Sequence, residues 1–184
     1  INIYELVQGG MATVLFTITA LMLIPFIKIY TIDMTDLNYI QPVFGYTLIV
    51  AETIYCFRCI YSTISSNANK FRETQLGAVL ECVVNLALSL LLVFIGKLGI
   101  LGVALGTVGG TIVRYIFEVC FLSKNVIYRP AGKALKMVLI SLIASGTALF
   151  LCSAVLDYSC IESFFGLILF AIPTTIITLA VAIG

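Results

Sequence analysis

The sequence contains no histidine and no tryptophan. Without an imidazole the chain has no histidine for general acid–base chemistry and none to ligate a metal, so no metal site and no enzymatic activity are expected. Charge is also scarce, with Asp, Glu, Lys and Arg together making up 10% of 184 residues, against about a quarter in soluble domains. Those few charges nearly cancel, at a formal +1. The basic excess of a nucleic-acid binder is missing, and no nucleic-acid partner is expected.

What is present in quantity is apolar: 61% of residues are hydrophobic and the mean hydropathy is +1.17. A soluble fold of this length could not cover so much apolar surface, so the bilayer is the expected solvent and partner. Of the 6 cysteines, Cys56, Cys82 and Cys120 sit inside apolar runs, where a free thiol behaves as a small hydrophobe. Cys56 and Cys59 form a CxxC with no second pair, which reads as helix packing rather than a redox or metal motif. Cys152 and Cys160 flank one loop, and the reading favours free thiols there too.

A helix needs about 20 mostly apolar residues to cross the hydrocarbon core. Six such runs occur, at about 9–30, 42–65, 76–95, 99–122, 134–156 and 164–184. The expected fold is therefore all-α: a polytopic bundle of six membrane helices. The short alternating segments of a membrane barrel are not visible. Residues 1–122 hold four of the helices, 123–133 form a basic loop, and 134–184 form a terminal helix pair.

The loops alternate in charge. Asp33 and Asp36 mark the first, Lys70 and Arg72 the second, and Lys97 the third; Lys124, Arg129 and Lys133 mark the fourth, with Lys136 just beyond, and Asp157 and Glu162 the fifth. Basic residues near helix ends mark the cytoplasmic side, which puts the second and fourth loops inside. Pro42 opens the second helix at no cost in hydrogen bonds, whereas Pro25 and Pro173 fall within spans and are expected to bend them. Gly102, Gly106 and Gly110, with Gly109 beside them, form a small-residue ridge that lets a neighbouring helix approach closely. The Gly96-Lys97-Leu98-Gly99 turn is short enough to make the third and fourth helices an antiparallel pair.

Ionisable side chains inside a span cost at least ~2.5 kcal/mol near the bilayer centre, so each requires a reason. Counting from the loops puts Arg58, Glu81, Arg114 and Glu118 together in the cytoplasmic third. Two bases and two acids at one depth can form a structural ion-pair cluster, and Arg114 and Glu118 already share a helix face. The functional alternative is that Arg58 or Arg114 lines a path for an anionic head group, since guanidinium matches phosphate oxygens in a bidentate way. Glu52 lies near mid-span with no base one turn away, which is the signature of a protonated, hydrogen-bonded carboxyl or of a cation or proton site. Tyr46, Tyr55 and Tyr61 on the same helix could satisfy it or line a polar cavity, and Asn85 reads as interhelical glue.

These residues, in this order, resemble the polysaccharide and O-antigen flippases of the multidrug, oligosaccharidyl-lipid and polysaccharide exporter superfamily. The stretches that carry the resemblance are Ile24-Pro25-Phe26 through Tyr30-Thr31, Thr35 to Ile40 before Pro42, and Ala51-Glu52 with Tyr55 and Arg58. Phe71 to Gln75, Glu81 through Asn85 to Leu88-Ser89, and Gly99 to Thr107 leading to Arg114-Tyr115 continue it. Residues beyond Tyr128 match only as hydrophobic spans. The resemblance implies part of a second lobe of an alternating-access transporter, with a first lobe of the same polypeptide outside this sequence. It implies a polyprenyl-pyrophosphate-linked oligosaccharide, carried by undecaprenyl, as substrate for capsule, O-antigen or exopolysaccharide assembly in a bacterial cytoplasmic membrane. The resemblance also implies polysaccharide polymerase machinery as a partner. No cofactor is implied beyond coupling to H+ or Na+, and Glu52 and Arg58 fall on the helix that serves coupling or the cavity in related exporters. A multidrug exporter of the same superfamily and a non-transporting membrane scaffold are the competing readings.

Overall fold

The computed structural model describes residues 2–32, 40–155, 161 and 163–183. The acidic loop residues Asp33, Asp36, Asp157 and Glu162, the Thr35–Tyr39 part of the resemblance, and Cys160 lie outside the described residues. Six helices make up the fold: α1 (Asn2–Tyr30), α2 (Pro42–Asn67), α3 (Phe71–Phe94), α4 (Ile100–Asn125), α5 (Gly132–Val155) and α6 (Phe164–Ile183). All six are long and apolar enough to cross a membrane, and there is no strand among the described residues. The protein is an all-α, multi-pass membrane bundle.

The helices outrun their apolar stretches. α1 starts at Asn2, ahead of the apolar run at Gly9, because its one acidic residue there, Glu5, is only 4% exposed and is neutralised by Arg129. Polar groups that find partners inside the bundle need not end a helix. Pro25 and Pro173 lie inside α1 and α6, which continue past them as helix.

Two groups of three helices build the bundle. In the first, α4 packs most extensively on α3 and then on α2; in the second, α1 packs on both α5 and α6, which also touch each other. Lipid tails are as apolar as leucine, so close packing rather than water exclusion holds such helices together, and small residues sit where backbones meet. Gly102, Gly106 and Gly110 face α3: a Cβ on Gly106 would lie 2.8 Å from the Ser89 backbone nitrogen, and one on Gly110 would lie 2.9 Å from the Glu81 carbonyl oxygen. Between them, Lys97 and Gly99 take positive φ values of 52° and 55° to reverse the chain.

In the second group the same role falls to threonine and alanine. Ala12, Thr17, Ala148, Thr174 and Thr178 are fully buried. Their hydroxyls are satisfied within their own helices: Thr17 donates to the Thr13 carbonyl at 2.6 Å and Thr178 to the Thr174 carbonyl at 2.9 Å. The two groups meet around a core of Ala12, Phe57, Tyr61, Tyr115, Val119, Leu122 and Ala134, which joins α1, α2, α4 and α5 at one end of the bundle. The Tyr115 hydroxyl donates to the Ala134 carbonyl at 3.3 Å, and its ring meets Tyr61 edge to face at 5.8 Å.

Candidate functional site

Three helices bring the intramembrane charges together. α4 carries Arg114 and Glu118 one turn apart, and the Arg114 Nε donates to Glu118 Oε1 at 2.9 Å. The glycine ridge draws α3 against α4, so that Arg114 Nη1 also donates to Glu81 Oε2 at 2.7 Å. Thr111, about one turn before Arg114 on α4, places its hydroxyl 3.5 Å from Glu81 Oε1. From α2, Arg58 Nη1 comes within 3.8 Å of Glu81 Oε2 and 3.9 Å of Glu118 Oε1. Two guanidinium groups and two carboxylates thus form one compensated network, in which Glu118 is 3% exposed and Arg58 5%.

The network is unevenly satisfied. Arg114 is hydrogen-bonded to both carboxylates, whereas Arg58 approaches them only at ion-pair distance. Nε and Nη1 of Arg58 and Oε2 of Glu118 are buried with no hydrogen-bond partner among the described residues. Such groups are costly when left unpaired in a low-dielectric interior. The Arg58 guanidinium is instead stacked on Tyr55, its Cζ 4.5 Å from the ring centroid.

Tyr55 leads to the outward face of α2. From Glu52 to the basic end of the helix this face carries Glu52, Tyr55, Cys59, Ser62 and Ser66, spaced alternately three and four residues apart, which lines them along one side. Glu52 and Tyr55 are exposed and the others half-buried. Glu52 makes no hydrogen bond or ion pair with any described residue, and Tyr61, a candidate to satisfy it, donates to Glu5 instead. The remaining outward faces look different: α3 presents Val79, Val83, Leu86 and Leu90, and α6 presents Phe165, Ile168, Ile172 and Ile176. Those faces suit lipid. A mid-span carboxylate with a tyrosine and two serines on its stripe does not.

A second polar cluster lies at the end where α1 starts and α4 meets α5. Arg129 Nη2 donates to both oxygens of Glu5, at 3.0 and 2.8 Å, and the Tyr61 hydroxyl donates to Glu5 Oε1. Sequence reasoning places Arg129 in a basic loop but says nothing of Glu5, since the pair is 124 residues apart. The one available signal is that Glu5 sits within helical reach of the first apolar run and has no base on its own helix turn. Nearby, Gln8 Nε2 donates to Cys56 Sγ at 3.0 Å, tying α1 to the cysteine pair of α2; Cys56 and Cys59 are both free thiols. Asn85 accepts from the Ser89 hydroxyl at 3.1 Å, and its Cβ lies against Gly110. No group of three or more metal-ligating side chains occurs among the described residues. In comparisons with known proteins, no family model, no curated protein and no solved structure matches the chain.

Proposed function

We propose that the chain is part of a flippase that moves a lipid-linked, negatively charged sugar head group across a bacterial cytoplasmic membrane by alternating access. The observation that carries this reading is the outward face of α2: an unpaired Glu52 and an exposed Tyr55 in a membrane-spanning helix, with the buried Arg58 guanidinium behind Tyr55. A face of that chemistry turned to hydrocarbon would cost at least ~2.5 kcal/mol for the carboxylate alone, so it suits a hydrated passage. A cleft of about 270 Å³ lined by Tyr4, Ile60, Thr63, Ile64 and Asn67 opens near its basic end.

In such a passage each group has a task. Arg58 retains unshared donors that match the oxygens of a phosphate or pyrophosphate group, and its stacking on Tyr55 holds the guanidinium plane in place. Glu52 would bind the H+ or Na+ whose movement drives the cycle. The polyprenyl tail would remain in lipid beside the apolar faces. The resemblance of the sequence to polysaccharide flippases agrees with this assignment, and the first lobe it implies would cover the α2 stripe.

A scaffold reading has its own supporting observation: Arg58, Glu81, Arg114 and Glu118 neutralise one another. The two readings separate when Glu52→Gln and Arg58→Gln are compared for surface polysaccharide and for protein level in the membrane. Transport requires that both variants lose export at undiminished protein level. Normal export by both rejects the flippase assignment.

A further inference from the structure

At the basic end of the bundle, α1, the α4–α5 connection and the start of α5 border an open cavity of about 390 Å³ lined by Glu5, Leu6, Arg129, Lys133, Lys136, Met137 and Ile140. Its lining is ordered by depth. Lys133, Lys136 and Ile140 are three and four residues apart, with Met137 beside Lys136 and four residues on from Lys133, so they form a single stripe down α5 that begins cationic and becomes apolar further along the helix. Leu6 of α1 and Ile140 are 66% and 49% exposed, so the apolar end of the cavity opens sideways onto the surface that lipid tails would cover.

The charge balance selects the ligand. Glu5, the one acid in the lining, is already engaged by Arg129 and Tyr61. No carboxylate among the described residues pairs with Lys133 or Lys136, and both are exposed. Two ammonium groups over an apolar slot match an anionic phosphate diester that carries acyl chains, and basic pockets between membrane helices recognise lipid head groups in this way. A soluble anion would use the lysines but leave the apolar half of the cavity without purpose.

We infer that this cavity is a binding site for the head group of an anionic phospholipid, held by Lys133 and Lys136 with its acyl chains against Leu6, Met137 and Ile140. The glutamate–arginine pair fixes the wall: Glu5 ties the start of α1 to the segment leading into α5, so a bound lipid would brace the start of α1 against the start of α5. The inference is independent of whether the chain moves a substrate.

The test uses the purified protein in mixed micelles, with native mass spectrometry to count retained phosphatidylglycerol against phosphatidylcholine. Each lysine near an anionic surface is worth about fivefold in affinity, so Lys133→Gln/Lys136→Gln should weaken phosphatidylglycerol retention by about 25-fold. Lys70→Gln/Lys124→Gln, which removes charge from the same end but not from the cavity, should leave retention within about twofold on the same scale. Lys133→Arg/Lys136→Arg should retain the lipid, which separates lost charge from lost folding. Equal weakening by both glutamine pairs, equal retention of the two lipids, or displacement of phosphatidylglycerol by millimolar inorganic phosphate would overturn the assignment.

Discussion

Arg114 reaches across from α4 to α3, its Nη1 lying 2.7 Å from Glu81 Oε2, while its Nε holds Glu118 at 2.9 Å on its own helix. One guanidinium therefore holds two carboxylates that the membrane would otherwise protonate or expel. Replacement of Arg114 by Gln should destabilise the bundle by about 3–5 kcal/mol, because it leaves buried acids uncompensated. The double variant Arg114→Gln/Glu81→Gln should cost less than the sum of its single changes. Reversible unfolding in mixed detergent measures both, and strict additivity would show that the two residues do not interact.

The glycine ridge makes a sharper contrast. A methyl group on Gly110 would meet the Asn85 Cβ and the Glu81 carbonyl oxygen at 2.9 Å, whereas one on Gly10 in α1 has nothing within 4 Å. Gly110→Ala should therefore destabilise by about 1–3 kcal/mol through forced separation of α3 and α4. Gly10→Ala should be neutral or stabilise by up to about 1 kcal/mol, since alanine is the better helix former. Thermal unfolding of the two variants side by side checks the pair.

Six helices are legible in the sequence because an apolar run of spanning length has few alternatives in a chain with so little charge. The meeting of Arg58, Glu81, Arg114 and Glu118 is foreshadowed by depth alone: charges equally far from the loops of adjacent helices have little choice but to pair. Glu5 with Arg129 is different, since pairing across 124 residues depends on which helices become neighbours, and hydropathy does not encode that. Nor does it say which side of α2 turns outward. The structure settles that by burying Phe57, Arg58 and Tyr61 and leaving Glu52 and Tyr55 uncovered.

The Glu5 cluster predicts a graded series. Tyr61→Phe removes one donor to a carboxylate that Arg129 still holds, and should cost about 1 kcal/mol. Arg129→Gln leaves a nearly buried carboxylate with only the tyrosine and should cost clearly more. Unfolding midpoints for the two variants and their combination test the order, and a larger effect for Tyr61→Phe would contradict the geometry.

Orientation is testable by charge placement. Lys70, Arg72, Lys124, Arg129, Lys133 and Lys136 gather at the end formed by the start of α1 and the ends of α2 and α4, and that excess of basic residues predicts a cytoplasmic position for this end. In a background without native cysteines, Leu98→Cys should react with a membrane-impermeant maleimide in intact cells, and Lys124→Cys only after the membrane is opened. The reverse pattern would invert the bundle.

Water along α2 is the point on which the functional account turns. Cys59, kept as the single cysteine, and single cysteines placed at Tyr55 and Ser62 should react with a hydrophilic methanethiosulfonate reagent in the assembled protein. Cysteines at Val83 and Ile168, which are 58% and 65% exposed on apolar faces, should not react. Reaction confined to the α2 positions is the predicted result; silence at all three, with the protein folded and in the membrane, would contradict a hydrated passage and leave the scaffold reading in its place.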